Sequence, residues 1–155
     1  MHNGISEFIK KIKELGYKVK LDTNGTFPKK LAELLENHLV DYVAMDIKNS
    51  KEKYAQTAGI KNLNLSDIEK SINILKLSDI DYEFRTTIVK EFHTVSDIEN
   101  IAEWIKGAKA YFLQNFEDSG NLIGTNLSAV EMHTLDEMKN RSQAFVQNTQ
   151  IRGVK

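Results

Sequence analysis

The 155-residue chain contains no cysteine, and its one proline is Pro28. Without cysteine there is no disulfide, no cysteine nucleophile, and no zinc or iron–sulfur site ligated by this chain's own thiolates. A charge excess is also missing. Lysine and arginine total 21 against 22 aspartates and glutamates, a formal net charge of −1. That balance argues against a broad basic footprint for nucleic acid or an anionic membrane. No run approaches the ~20 apolar residues that a membrane span requires. Met1-His2-Asn3-Gly4 shows no basic stretch leading into an apolar one, the pattern of a secretory signal. No Gly-, Ser- or Pro-rich linker divides the chain, and it has no internal sequence repeat. With 41% hydrophobic and 28% charged residues, the composition is that of one globular domain over residues 1–155, expected to be soluble and cytoplasmic.

What is present is a repeated type of unit. Ile5, Phe8, Ile9, Ile12 and Leu15 fall at helical spacing, with Gly16 as a stop. Tyr17 to Leu21 then alternates as a half-buried strand does. Pro28 suits the first turn of a helix carried on by Leu31, Leu34, Leu35 and His38. Val40 to Met45 reads as a buried strand. Ser66-Asp67-Ile68-Glu69, Ser96-Asp97-Ile98-Glu99 and Ser128-Ala129-Val130-Glu131 each have the Ser-x-x-Glu spacing of a capping box, and each precedes an apolar helical stripe. The last stripe, Met132, Leu135 and Met138, is expected to be core. The strand candidates between the stripes are Tyr82 to Val89, Ala110 to Phe116 and Thr149 to Val154. Alternation of this kind predicts an α/β fold with a mostly parallel sheet or barrel. The chain opens on a helix: either a strand upstream is missing, or that helix caps an open sheet.

Each expected strand breaks into polar residues near its carboxyl end: Asp22, Thr23 and Asn24; Asp46 and Lys48; Arg85 with Thr86 and Thr87; Gln114 and Asn115. In parallel α/β folds these ends share one face, and ligands bind there. Two neighbouring aspartates repel unless a cation lies between them, and a metal ion, Lys48 or a ligand ammonium could each serve. A zwitterionic ligand fits this set, its ammonium toward Asp22 or Asp46 and its carboxylate toward Lys48, Arg85 or a bound cation. The alternatives are a salt-bridge network at the strand ends, turn roles for Thr23 and Asn24, and a backbone-satisfied core amide for Gln114. A metal-dependent hydrolase is disfavoured, because none of the four histidines lies at a strand end beside the aspartates. His2, His38, His93 and His133 read as structural or solvated. Residues 51–64 read as an exposed connection, and Glu117 to Asn121 as a solvated loop.

Leu21-Asp22-Thr23-Asn24-Gly25, Met45-Asp46-Ile47-Lys48 with Tyr54 and Gly59, and Phe84-Arg85-Thr86-Thr87 followed by His93, Asp97-Ile98 and Trp104-Ile105 together resemble the radical S-adenosylmethionine activating proteins. Tyr111 to Phe116 and Ile151-Arg152-Gly153 continue the likeness. The nearest subgroup is the activators of anaerobic ribonucleoside-triphosphate reductase, with the pyruvate formate-lyase activators close by. The resemblance implies a partial (β/α) barrel with its first strands missing, so that this sequence is a carboxyl-terminal portion. In that family a 4Fe-4S cluster binds S-adenosylmethionine, and the resulting 5′-deoxyadenosyl radical forms a glycyl radical on a partner enzyme. By motif match, Asp22, Thr23, Asn24, Asp46, Lys48, Arg85 and Gln114 would lie along the cofactor, with Asp22 and Asp46 around a monovalent cation. The family's Cys-x3-Cys-x2-Cys and Gly-Gly-Glu-Pro motifs are not in this sequence, which makes radical initiation by this chain alone improbable. The alternative function is a non-catalytic module that binds S-adenosylmethionine or a partner. Loss of the first strands would also expose a sheet edge. A dimer or higher oligomer along the Tyr17–Leu21 side, or poor solubility, is then expected, and light scattering from a clean monomer at high concentration would count against it.

Overall fold

The computed structural model describes residues 4–117 and 126–153. Eleven elements follow in chain order: α1 (Ile5–Glu14), β1 (Lys20–Thr23), α2 (Pro28–Glu36), β2 (Tyr42–Asp46), α3 (Tyr54–Ala58), α4 (Leu65–Leu77), β3 (Asp81–Ile88), α5 (Val95–Trp104), β4 (Tyr111–Asn115), α6 (Met132–Ser142) and β5 (Thr149–Arg152). The strands form one sheet in the order β1-β2-β3-β4-β5. The registered pairs β1/β2, β3/β4 and β4/β5 are all parallel. Parallel neighbours cannot be joined by a tight turn, so helical crossovers separate them in sequence. The α/β fold expected from the sequence is the fold found. Among the described residues no helix is long and apolar enough to cross a membrane.

The chain divides into two compact units, residues 1–46 with 64–83, and residues 47–63 with 84–155. In the first, Leu31 and Leu34 of α2, Val43 and Met45 of β2, and Ile68, Ile72 and Leu75 of α4 are buried. In the second, Phe84 and Ile88 of β3, Ile98 and Ile101 of α5, Tyr111 and Leu113 of β4, and Leu135 and Met138 of α6 are buried. Met132 begins its expected core stripe but is 46% exposed, because it sits at the first position of α6 rather than over the sheet.

Element boundaries depart from the sequence reading for local reasons. β1 starts at Lys20 because the Asp41 carboxylate takes the Val19 N–H at 2.7 Å, and Val19's carbonyl accepts from the Asp41 and Tyr42 N–H groups. Tyr17, expected in that strand, is 66% exposed. His38 lies beyond α2, with φ 50. None of the three serines caps its helix. α4 starts one residue before Ser66, with Asn64 at the cap position. Ser96 falls inside the first turn of α5, where Thr94 and Asp97 form the reciprocal box instead. Ser128 precedes α6 and bonds to Glu91. An aspartate three residues after a threonine performs the same exchange as the glutamate of the standard motif, and spacing alone does not distinguish the two. Val154, included in the last strand by the sequence, lies outside the described residues.

Two predictions follow from this packing. Gly25 turns the chain after β1 with φ +75, and its carbonyl accepts the Ser71 hydroxyl at 2.7 Å. A Cβ there would stand 2.1 Å from Cε of Met45, a side chain with no exposure. Gly25→Ala is therefore expected to cost about 1–3 kcal/mol through the left-handed backbone and overpacking. An unchanged thermal midpoint would show that Met45 has room to move. The second concerns Asp97. Burial by itself would raise its pKa, but Lys53 Nζ at 2.7 Å and the Thr94 bonds outweigh burial and hold it below the ordinary carboxylate value. The unfolded carboxylate titrates near ~3.9. The stabilisation is therefore complete above that pH and is lost as pH falls through the lower folded value. Asp97→Asn should flatten the acid limb of the thermal midpoint against pH, and an acid limb identical to that of the unaltered protein would remove Asp97 from the account.

Candidate functional site

In the first unit, pairing register decides which side chains share a face. Lys20 stands opposite Tyr42 and Asp22 opposite Ala44. Alternation therefore puts Lys20 and Asp22 on the same side of the strand pair as Tyr42, Ala44 and Asp46. The two aspartates expected to act together are thus on one face of neighbouring strands, at their carboxyl ends. Thr23 is on the opposite face with Leu21, and its Oγ1 accepts the Gly25 N–H at 3.1 Å. Asn24 Oδ1 accepts the Thr26 N–H at 3.2 Å and the Thr26 hydroxyl at 2.8 Å. Both residues hold the turn, the alternative already open for them in the sequence.

The same face carries two groups that the sequence reading did not select. Glu83 is only 1% exposed, yet it is a carboxylate on a strand. The Tyr42 hydroxyl donates to its Oε2 at 2.8 Å, and Lys20 Nζ lies 3.9 Å from Oε1. That ammonium also lies 4.0 Å from Asp22 and 5.6 Å from the centre of the Tyr42 ring. Lys20 is thus a cation beside Asp22, a role the sequence had offered only to Lys48, a metal or a ligand. A glutamate between Tyr82 and Phe84 was the available signal for Glu83, since a charge inside an apolar strand must find a partner. Among the described residues there is no group of three or more acidic or histidine side chains able to hold a metal ion.

In the second unit, the backbone around Lys48 is fixed while its side chain is exposed. The Ile47 N–H donates to the Arg85 carbonyl, and the Thr86 hydroxyl donates to the Ile47 carbonyl, both at 2.8 Å. The Tyr111 hydroxyl then donates to Thr86 Oγ1 at 2.9 Å. Full burial pushes the Tyr111 phenol's pKa well up, so it remains a donor. His93, 5% exposed, lies with Nε2 2.9 Å from the Lys48 carbonyl. Register pairs Arg85 with Phe112, Thr87 with Gln114, and Gln114 with Arg152. Arg85 and Gln114 therefore share a face as diagonal neighbours. The Arg152 guanidinium stacks on that face 3.2 Å from the Phe112 ring centre. Residues 51–64 are not wholly an exposed connection, because they include α3, where Tyr54 is buried edge-on against Trp104 with ring centres 5.9 Å apart. His38 and His133 are exposed. His2 and residues 118–121 lie outside the described residues.

No family model matches the chain. In sequence it is similar to a Methanocaldococcus jannaschii protein named among the glycyl-radical enzyme activating enzymes, with 33% identity over 161 residues. The match takes in 98% of this chain and 65% of that protein, so the chain spans just under two thirds of the relative's length. In structure it is similar to a domain of a pyruvate-formate lyase-activating enzyme from Bacteroides vulgatus, with a TM-score of 0.75, 14% identity, and coverage of 96% of this chain and 89% of that one. It is also similar to a radical SAM methyltransferase from Sphaerobacter thermophilus, with a TM-score of 0.74, 7% identity, and coverage of 91% of this chain and 42% of that one. The structural likenesses show a shared fold.

Proposed function

We propose that this chain is the part of a radical S-adenosylmethionine activating protein that orients the cofactor, and that the protein it serves activates a glycyl radical enzyme of the anaerobic ribonucleotide reductase kind. The supporting observation is the pair Asp22 and Asp46, placed by register on one face at the carboxyl ends of two parallel strands. Their charge suits the methionine ammonium, taken directly or around a monovalent cation. Lys48, exposed on a rigid turn, suits the methionine carboxylate. Arg85 and Gln114, sharing a strand face, suit polar contacts along the rest of the cofactor. Thr23 and Asn24 contribute by shaping the turn that follows Asp22. When bound, S-adenosylmethionine supplies a sulfonium whose cleavage provides the family's radical chemistry. Protein residues bind it, orient it and set the local charge.

The residues present do not fit a 4Fe-4S cluster, because the chain has no cysteine to ligate one. The same observation favours a second reading, a module that binds S-adenosylmethionine or a partner without radical chemistry. Both readings predict no iron or sulfide on this chain after anaerobic reconstitution, and stoichiometric iron and sulfide would overturn both.

The cofactor assignment is tested by calorimetry of the chain with S-adenosylmethionine. Lys48→Ala is expected to weaken binding about tenfold, the scale of one lost charged contact, and to leave the thermal midpoint nearly unchanged. Unaltered binding with a large fall in midpoint would instead mark Lys48 as part of a structural ion pair.

A further inference from the structure

We infer that His93 is a positioning residue for Lys48: its imidazole fixes the Lys48 carbonyl and so sets where the exposed ammonium meets a ligand carboxylate. The inference rests on the proposed role of Lys48 and extends it to a residue 45 positions away in sequence.

The argument begins with hydrogen-bond direction. A carbonyl oxygen only accepts, so at 2.9 Å from the Lys48 oxygen, His93 Nε2 must carry the proton. In a neutral ring Nδ1 is then an acceptor, and the Val89 N–H donates to it at 3.1 Å. Burial favours this neutral form by lowering the imidazole's pKa, outweighing the bonds to Lys48 and Val89 and the attraction of Asp97, with Lys53 acting in the same direction as burial. The Val89 carbonyl also lies 3.2 Å from Nδ1, so it is the Lys48 contact at Nε2 that sets the proton in this reading. Residues beside Lys48 are held independently. Asn49 is fully buried, and its Nδ2 donates to Thr57 Oγ1 at 2.8 Å and to the Phe92 carbonyl at 3.0 Å. Ile47 is bonded to Arg85 and Thr86. Lys48 is therefore an exposed residue between buried neighbours, and its own carbonyl is bonded to His93. Rotation of that peptide would swing the Lys48 side chain, and the imidazole opposes it.

The test uses two substitutions that keep different ends of the ring. Glutamine at 93 places an amide N–H near the Nε2 position and keeps a donor for Lys48. Asparagine is too short to reach it. The full chain and both variants are titrated with S-adenosylmethionine and with methylthioadenosine, which lacks the amino and carboxylate groups. His93→Asn should weaken S-adenosylmethionine about tenfold, while His93→Gln stays within about threefold and methylthioadenosine affinity is the same in all three proteins. In a Lys48→Ala background, His93→Asn should produce no further loss, because the two substitutions remove one shared effect. If His93→Asn weakens both ligands alike, if His93→Gln loses as much as His93→Asn, or if the losses add in the double variant, His93 is only a packing residue and the inference fails. If the unaltered chain binds S-adenosylmethionine no better than methylthioadenosine, the carboxylate role of Lys48 falls first and takes the inference with it.

Discussion

Parallel pairing in register is the constraint on which the candidate site depends. When Asp22 stands beside Ala44, the two-residue repeat of a strand leaves Asp46 no choice of face. A slip of one residue would turn Asp22 toward the side where Leu21, Val43 and Met45 are buried and would strand a carboxylate without water. The apolar residues therefore hold the polar ones in place. Burying three large side chains on the other side outweighs whatever repulsion the aspartates feel, since each large apolar side chain contributes about 1.5–3 kcal/mol and exposed charges at this range contribute less than ~1 kcal/mol.

Both units hold a buried carboxylate beside an ammonium, Glu83 by Lys20 and Asp97 by Lys53, and the second adds neutral bonds. In the first, a buried carboxylate, Glu83, is supported by a phenol at 2.8 Å and an ammonium at 3.9 Å. Removing either partner would leave charge desolvated, the costly half of any buried ion pair. In the second, the relay from Tyr111 through Thr86 to the Ile47 carbonyl, and the His93 bond to Lys48, are all neutral. Neutral bonds fix backbone without introducing a competing charge.

The fold was legible in the sequence because apolar periodicity marked the five longer helices and all five strands. α3 was missed because five residues are too few to show a period. Starts of helices were misplaced because Ser66, Ser96 and Ser128 stand near their helices but compete with Asn64, Thr94 and Glu131 for the cap position. Asp22 and Asp46 were legible, since strand ends in parallel folds are known ligand positions. Glu83 was not, because its neighbours Tyr82 and Phe84 made the segment read as core. Nor was the partner of His93 readable. A backbone carbonyl has no sequence signature, and only folding brings position 48 to position 93.

Lys20 joins these threads. It lies on β1, an end strand of only four residues, and short, lysine-bearing end strands resist pairing with another chain. The same ammonium approaches Asp22 and Glu83 at 4.0 and 3.9 Å, the outer limit of an ion pair. At that range, with the lysine side chain 47% exposed, solvent screens most of the attraction. Lys20 therefore lowers the repulsion on its face. An ammonium that reached hydrogen-bond distance of a carboxylate on this face would make a stronger, charge-assisted contact than Lys20 makes at 4.0 Å.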